Sequence, residues 1–307
     1  MVAQPGFDRA RMEAFSQKAN NDIVGGYIAA MCSLGDALGL FRILAEKGPS
    51  TSLELATRAE VDERYAREWL AALACAGYLE YDPDDRRFAL PPEHAAALAQ
   101  EGGLSFLGGA HQLFTEVLGV LDLVADAFRH GGGVPQSAYR PRFWQAIERC
   151  TAPTKEKLLV PEWIPAMPAL QTRLEQGALV ADVGCGHGRA IVALARAYPN
   201  SRFVGYDAYG PAIGRAAANA EAAGVADRVR FKELDAARGI PEQYDVITTF
   251  DVIHDAVDPP GLLRAIRRAL PPEGTYVLLD HVTAPTLEEN AGPSGAFTYS
   301  ISMLYCM

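Results

Sequence analysis

No two cysteines of this sequence stand in a Cys-x-x-Cys spacing; Cys32, Cys75, Cys150, Cys185 and Cys306 are scattered along its length. Such a set excludes the paired-cysteine zinc sites and suits reduced thiols rather than a disulfide framework. Basic residues are also few. Lysine and arginine number 28 against 38 aspartates and glutamates, a net charge of -10, so the average surface repels phosphate backbones and acidic membranes, and nucleic acid is not expected as the main partner. A clean membrane span is missing too: the longest apolar stretch, "IVGGYIAAMCSLGDALGLF", is interrupted by Asp36, holds four glycines and lacks basic flanks. The start, "MVAQPGFDRARMEAF", has neither the basic and apolar regions nor the small-residue cleavage site of an export signal, so a cytoplasmic protein is expected.

What is present is the composition of an ordinary globular protein: 49% hydrophobic, 21% charged, without repeats, and at 307 residues long enough for about two domains. Before residue 130 apolar positions recur every three to four residues, which predicts helices near 8–19, 22–46, 52–60 and 63–76, with short strands only around 77–80 and 87–90. "HGGGVPQSAYRP" reads as a loop over 131–141, and helices are expected from 142 to 176. From residue 177 the period changes. Strands at 179–183, 202–206, 229–233, 245–250 and 275–281 alternate with helices at 188–197, 211–223 and 259–270, the pattern of a Rossmann-like, doubly wound α/β sheet covered on both faces. The expected organisation is a helical domain over 1–130, a linker with connecting helices over 131–176, and the sheet domain over 177–307.

Within the first part, "LGLFRILAEKGPSTSLELATRAEVDERYAREWLAALACAGYLEYDPDDRRFAL" reads as helix, turn, helix, turn, helix and two short strands, a winged helix-turn-helix in an otherwise all-α domain. A DNA-reading third helix would need exposed basic and amide side chains near its start. Residues 62–76 instead set Asp62, Glu63 and Glu68 against Arg64 and Arg67 and continue with Trp69, Leu70, Leu73 and Ala74, so packing or dimerisation is the better use. The glycine-punctuated helix before it, 22–38, is suited to close approach against another helix, with a homodimer through these N-terminal helices as the simplest form and burial within one chain as the alternative.

In the second part, "ADVGCGHGRAI" at 181–191 follows a strand and enters a helix, so its backbone amides and the helix's positive end are expected to surround a ligand. Alternating glycines alone are a weak signal, since any tight strand-to-helix turn uses them. The dinucleotide spacing G-x-G-x-x-G is not met: Arg189 stands where its last glycine would be. Asp182, two residues before Gly184, favours a cationic ligand such as the ammonium of S-adenosylmethionine. The next strand tips end at Asp207, suited to vicinal ribose hydroxyls, and at Asp235 with Ala236, suited to adenine.

"ADVGCGHG", "GYD", "ELDAA" and "FDVIHDAVDPPGLLRAIRRALPPEG", in this order, resemble class I S-adenosylmethionine-dependent methyltransferases, and the first half resembles the winged-helix dimerisation domain of small-molecule O-methyltransferases. The resemblance implies methyl transfer to a small-molecule acceptor, with S-adenosylhomocysteine as product. It assigns Gly184, Cys185 and Gly186 to the methionine portion, Asp207 with the adjoining Ala208 to the ribose, Asp235 and Ala236 to adenine, and puts Phe250 beside the cofactor.

Transfer to oxygen also requires a base, and His254, four residues past Phe250 on the cofactor edge, is the candidate. The related enzymes read "HDW" here where this chain reads "HDA", and packing or capping is the alternative use of His254. No metal is expected. Cys185 and His187 diverge from each other, and Asp280 and His281, as neighbours on a strand, would point to opposite faces. Tyr299 and Met303, on the last helix-like segment, are substrate-facing candidates, equally explained by core packing. Members of the resembled family close their sheet with a helix and an antiparallel hairpin; the sequence stops about one helix after the fifth strand, and the hairpin is expected to be missing. A cofactor-sensing winged-helix regulator and a catalytically inactive relative are the alternative readings.

Overall fold

The computed structural model describes residues 6–307. They form two compact units, one comprising the chain up to Leu118 together with 145–150, the other 119–144 and 151–307. Helices and strands are numbered in chain order.

The first unit opens with α1 (Arg9–Ala37), which is N-capped by Asp8 and runs without a break through Asn20 and Asn21. The expected interruption there does not occur. Asparagine lowers helix propensity by only tenths of a kcal/mol, roughly, and Asn21 is held by an amide hydrogen bond from Gln17 at 2.9 Å. The real break is at Gly39, whose φ of +68° no helix accommodates. α2 (Leu40–Lys47), α3 (Ser52–Ala59) and α4 (Glu63–Cys75) follow, α3 starting from a capping box of Thr51 and Glu54. β1 (Glu80–Asp82) and β2 (Arg87–Ala89) pair antiparallel as the wing, and α5 (Pro92–Leu98) and α6 (Gly108–Val117) complete the unit.

Trp69 of α4 centres this unit's core among Phe41, Leu55, Leu70 and Leu73 and donates its indole N–H to the Met31 carbonyl at 2.9 Å. Gly35 makes that possible: a Cβ there would lie 2.3 Å from the indole ring, so close helix approach is used inside the chain. Asp36, the charge that interrupts the apolar stretch, receives two hydrogen bonds from Arg149 at 2.7 and 2.9 Å, and the same guanidinium bonds Glu101 and Gln112. On α4, Arg64 and Arg67 each pair with a glutamate one turn away, Glu68 and Glu63, while Trp69, Leu70 and Leu73 are buried.

In the second unit α7 (Leu121–His130) comes first. α8 (Pro141–Lys157), whose middle stretch counts with the first unit, and α9 (Pro168–Gln176) lead to the sheet. The sheet is built from β3 (Leu179–Val183), α10 (Arg189–Ala197), β4 (Arg202–Asp207), α11 (Gly210–Ala222), β5 (Val229–Glu233), β6 (Val246–Phe250), α12 (Pro259–Ala269) and β7 (Thr275–Leu279). α13 (Pro293–Ile301) and a final wide turn over Ser302–Cys306 end the chain.

All five strands are parallel, in the order β5-β4-β3-β6-β7, and among the described residues no antiparallel strand joins them. Alternate residues feed opposite faces: Val180 packs with Ile191, Leu194 and Phe203, whereas Ala181 and Val183 pack with Ile247, Leu262 and Ile266. The strand order reverses beside β3, and in such sheets ligands bind in the crevice beyond the strands' carboxyl ends at that point. No single helix among the described residues is long and apolar enough to cross a membrane.

β3 and β6 also share a buried polar pair, in which Thr248 donates its hydroxyl to Asp182 at 2.7 Å from the register-matched position. Burial lifts the Asp182 carboxyl to about 6, opposed by the Thr248 bond and by the charge of Lys155. The unfolded chain releases this proton near the ordinary value of 3.8 and the folded chain only near 6, so stability falls as pH rises through that window. Asp182→Asn, which retains an acceptor for Thr248, is expected to gain stability relative to the parent between pH 4 and pH 6 and hold a constant difference below it, as read from paired denaturation curves across pH.

Candidate active site

The parallel register brings the glycine loop after β3, the β4 tip, the Asp235 turn and the ends of β6 and β7 to one edge of the sheet. Gly184, Gly186 and Gly188 all have positive φ, +71°, +51° and +75°. A Cβ at Gly184 would overlap Val252 and one at Gly188 would press on Phe231, so these two glycines serve internal packing. Gly186 differs: nothing lies within 4 Å of the place its Cβ would take, and a ligand can approach bare backbone there.

The loop amides are arranged differently from the expected cradle. Gly184 and Cys185 both donate to the Tyr206 carbonyl, at 2.8 and 2.9 Å, and Gly186 donates to Asp207 Oδ2 at 2.8 Å. A strand-to-helix turn leaves these N–H groups without helical partners, and here the neighbouring strand supplies the acceptors before any ligand does. Asp182 lies beneath the loop, only 2% exposed, and the Cys185 thiol is buried and pushed well above its ordinary range, chiefly by desolvation.

Asp207, at the tip of β4, accepts from Gly186 N–H on one oxygen and from Tyr209 N–H, at 2.9 Å, on the other. Burial pushes its carboxyl upward and these two bonds push it down. Each oxygen keeps a further lone pair, the acceptor geometry that a vicinal diol needs. Ala208 beside it is exposed, and Tyr209 stacks on Trp144 with ring centres 4.7 Å apart. The Trp144 indole N–H is buried there without a hydrogen-bond partner, an orphaned donor next to the β4 turn. Asp235 caps the turn that starts at Ala236, accepting from Ala237 N–H at 3.2 Å and pairing with Arg238 at 3.0 Å; Ala236 is buried. Phe250 is buried with Val246 and Phe203 in the sheet core. Bare backbone at Gly186, the diol acceptor at Asp207 and the small apolar Ala236 fit the demands of S-adenosylmethionine along one edge.

Just past the end of β6 stands Asp251, a non-glycine residue at φ +60°, and the turn after it carries His254. β7 ends at Leu279, two residues earlier than expected, so Asp280 and His281 lie beyond the strand and the alternation rule does not govern them. Asp280 Oδ1 takes a short hydrogen bond from His254 Nδ1 and a second from the His281 amide at 2.8 Å. Burial raises the Asp280 carboxyl, but the bonds from His254 and the His281 amide outweigh it and leave a net lowering, so Asp280 is an acceptor only and Nδ1 carries the proton. His254 Nε2 stands 3.1 Å from Asp255 Oδ1 and carries the ring's lone pair whenever the imidazole is neutral.

Sequence reasoning weighed Asp280 only as a metal ligand. Its pairing with His254 arises because β6 and β7 are adjacent and in register, Phe250 opposite Leu279. On the final segment Tyr299 is half exposed, within 3.5 Å of the Asn290 amide, and Met303 is 38% exposed. Tyr305 and Cys306, which the sequence did not single out, reach further in. Burial and the nearby carboxylates of Asp255 and Asp207 keep the Tyr305 hydroxyl protonated, and its ring packs on Phe143 and Tyr139.

Residues 26–100 match the family described as the Rv2258c-like winged HTH domain, and residues 174–296 match a methyltransferase domain. O-demethylpuromycin-O-methyltransferase of Streptomyces alboniger is 27% identical over 278 residues, 80% of this chain and 72% of that protein. Methyltransferase ungE' of Aspergillus campestris is 35% identical over 115 residues, which is 33% of this chain and only 34% of that protein's length. Among solved structures, the mitomycin 7-O-methyltransferase MmcR superposes with a TM-score of 0.71 at 20% identity, over 97% of this chain and 87% of that one. CalO1, a methyltransferase of calicheamicin biosynthesis in its SAH-bound form, superposes with a TM-score of 0.68 at 22% identity, over 98% and 88%. These likenesses give the fold, and the two family matches assign a winged-helix domain to residues 26–100 and a methyltransferase domain to residues 174–296, ahead of and across the parallel sheet respectively.

Proposed function

We propose that this protein transfers the methyl group of S-adenosylmethionine to a hydroxyl oxygen of a small molecule, with His254 as the base. The observation that carries this is the Asp280–His254 pair standing on the same sheet edge as Gly186 and Asp207. The cofactor supplies an electrophilic methyl on a positively charged sulfur. The loop of Gly184, Cys185 and Gly186 would border its methionine portion, with Gly186 as the open contact, Asp207 with Ala208 would border its ribose and Asp235 with Ala236 its adenine, while Phe250 backs the site from the core. His254 Nε2 would take the acceptor's hydroxyl proton as the acceptor oxygen forms its bond to the methyl carbon, and bound S-adenosylmethionine would supply a sulfonium that keeps the electrons of the broken carbon–sulfur bond, giving S-adenosylhomocysteine. Asp280 holds the ring in its tautomer and takes up the charge of the imidazolium. Tyr299 and Met303, with Tyr305 from the same segment, border the acceptor side.

The reading divides the chain into a dimerisation domain over 1–130, connecting helices over 131–176 and a cofactor-binding domain over 177–307. Homodimerisation is supported by α1, where Phe15, Ile23, Tyr27 and Leu34, with Leu38 just past its end, are exposed, Ile23 at 61% and Tyr27 at 70%. Several of these recur four residues apart, on one helix face, and a contiguous apolar face of that kind marks an interaction surface. The paired arginines of α4 give DNA no free cationic stripe, which favours this use over the regulator reading.

Three measurements test the proposal. Calorimetry with S-adenosylhomocysteine is expected to give binding by the parent and at least about tenfold weaker binding by Asp207→Ala, two charge-assisted hydrogen bonds to the ribose being lost; equal binding removes the ribose assignment. Transfer of labelled methyl to a panel of phenols is expected to fall about a hundredfold or more in His254→Gln and less in Asp280→Asn, with cofactor affinity unchanged in both. Unaltered turnover in His254→Gln rules the base out. Light scattering is expected to report a dimer that becomes a monomer, with helix content retained, when Ile23 and Tyr27 are both changed to glutamate.

A further inference from the structure

His254 Nε2, a carboxylate oxygen of Asp255 and Sγ of Cys306 lie within 4.8 Å of one another. An imidazole, a carboxylate and a thiol converging on one point form a donor set that zinc and its neighbours favour. The trio lies outside the residue pairs weighed from the sequence, because Cys306 reaches it only through the fold of the final turn.

Two further observations point to a cation there. Asp280 accepts the Nδ1 proton of His254 and so aims the Nε2 lone pair into the trio, the carboxylate-to-imidazole support that orients metal-binding histidines. Asp255 Oδ1 is shut off from solvent and has no hydrogen-bond partner of its own, 3.1 Å from Nε2, while the Asp255 carboxylate takes a hydrogen bond from the Cys306 thiol. With the ring neutral and its proton on Nδ1, two lone pairs face each other across that gap. A cation between the donor atoms replaces the repulsion with two bonds.

We propose that His254, Asp255 and Cys306 form a three-ligand site for a thiophilic divalent cation of the zinc class, leaving its fourth position open, and that metal binding and base catalysis at His254 exclude each other. Both uses need the same lone pair on Nε2. Binding forms three bonds to the metal and sends the Cys306 thiol proton to solvent, with no redox change. The exclusion rests on His254 being the base; the binding does not.

The test uses the full chain without cofactor or acceptor. Calorimetry with zinc alone is expected to give one equivalent bound, and cobalt in its place is expected to produce a sulfur-to-cobalt charge-transfer band. Cys306→Ser should abolish that band and weaken zinc at least about tenfold while still binding S-adenosylhomocysteine, which reports that the variant is folded. No zinc binding by the parent, or binding that survives Cys306→Ser and disappears in Cys75→Ser at the exposed α4 thiol, overturns the site. In methyl-transfer assays one equivalent of zinc should suppress turnover of the parent and spare Cys306→Ser; full turnover by the zinc-loaded parent overturns the exclusion. A metal-free enzyme that transfers no methyl refutes the base reading and leaves the calorimetric result standing.

Discussion

Five strands hydrogen-bonded in parallel must all finish at the same edge of their sheet, and that constraint brings the Gly186 loop, Asp207, Asp235 and His254 together. Because β3 is central and β4 and β6 flank it, the loop carrying Gly186 lies between the tips that carry Asp207 and Asp251. The register of β6 with β7 then sets Asp280 beside the turn of His254. Backbone pairing, decided by buried apolar alternation, positions the polar residues as its by-product.

Buried charge is handled by pairing in both units. Asp182 sits under the loop with Thr248 and is held partly neutral by burial, while Asp207 spends an oxygen on each of two amides and keeps its remaining lone pairs toward the edge. In the first unit Asp36 is matched by Arg149, 113 residues away, which also engages Glu101 and Gln112. A buried ion pair of this sort contributes little net stability against an apolar substitute, yet removing either partner alone strands a charge, so it acts as a register for how α1, α6 and the middle stretch of α8 meet.

The glycine loop had to satisfy its own backbone before it could offer anything to a ligand. Three consecutive amides, those of Gly184, Cys185 and Gly186, turn inward to the neighbouring strand, and the loop offers outward only the open space where a Gly186 side chain would stand. Recognition at this loop then falls to bare backbone surface and the carboxylate of Asp207, with fewer free amides than a phosphate-binding loop presents. The same economy governs the His254 turn, where both ring nitrogens stand near carboxylates and the acid–base role depends on which one keeps its proton.

Local chemistry alone determined much of this protein. Apolar periodicity marked all five strands of the sheet and the helices between them, and the strand-tip residues Gly186, Asp207, Asp235 and His254 could be picked out because their positions follow from where each strand stops. The uninterrupted α1 could not be read off, since two asparagines weigh too little against the packing of a 29-residue helix. Nor could Asp280 as the partner of His254, Arg149 as the partner of Asp36, or Cys306 beside the base. Those pairs are set by strand adjacency and by the path of the final turn, contacts between residues far apart in the chain whose formation depends on the whole core closing, and no local pattern encodes a distance that only three dimensions define.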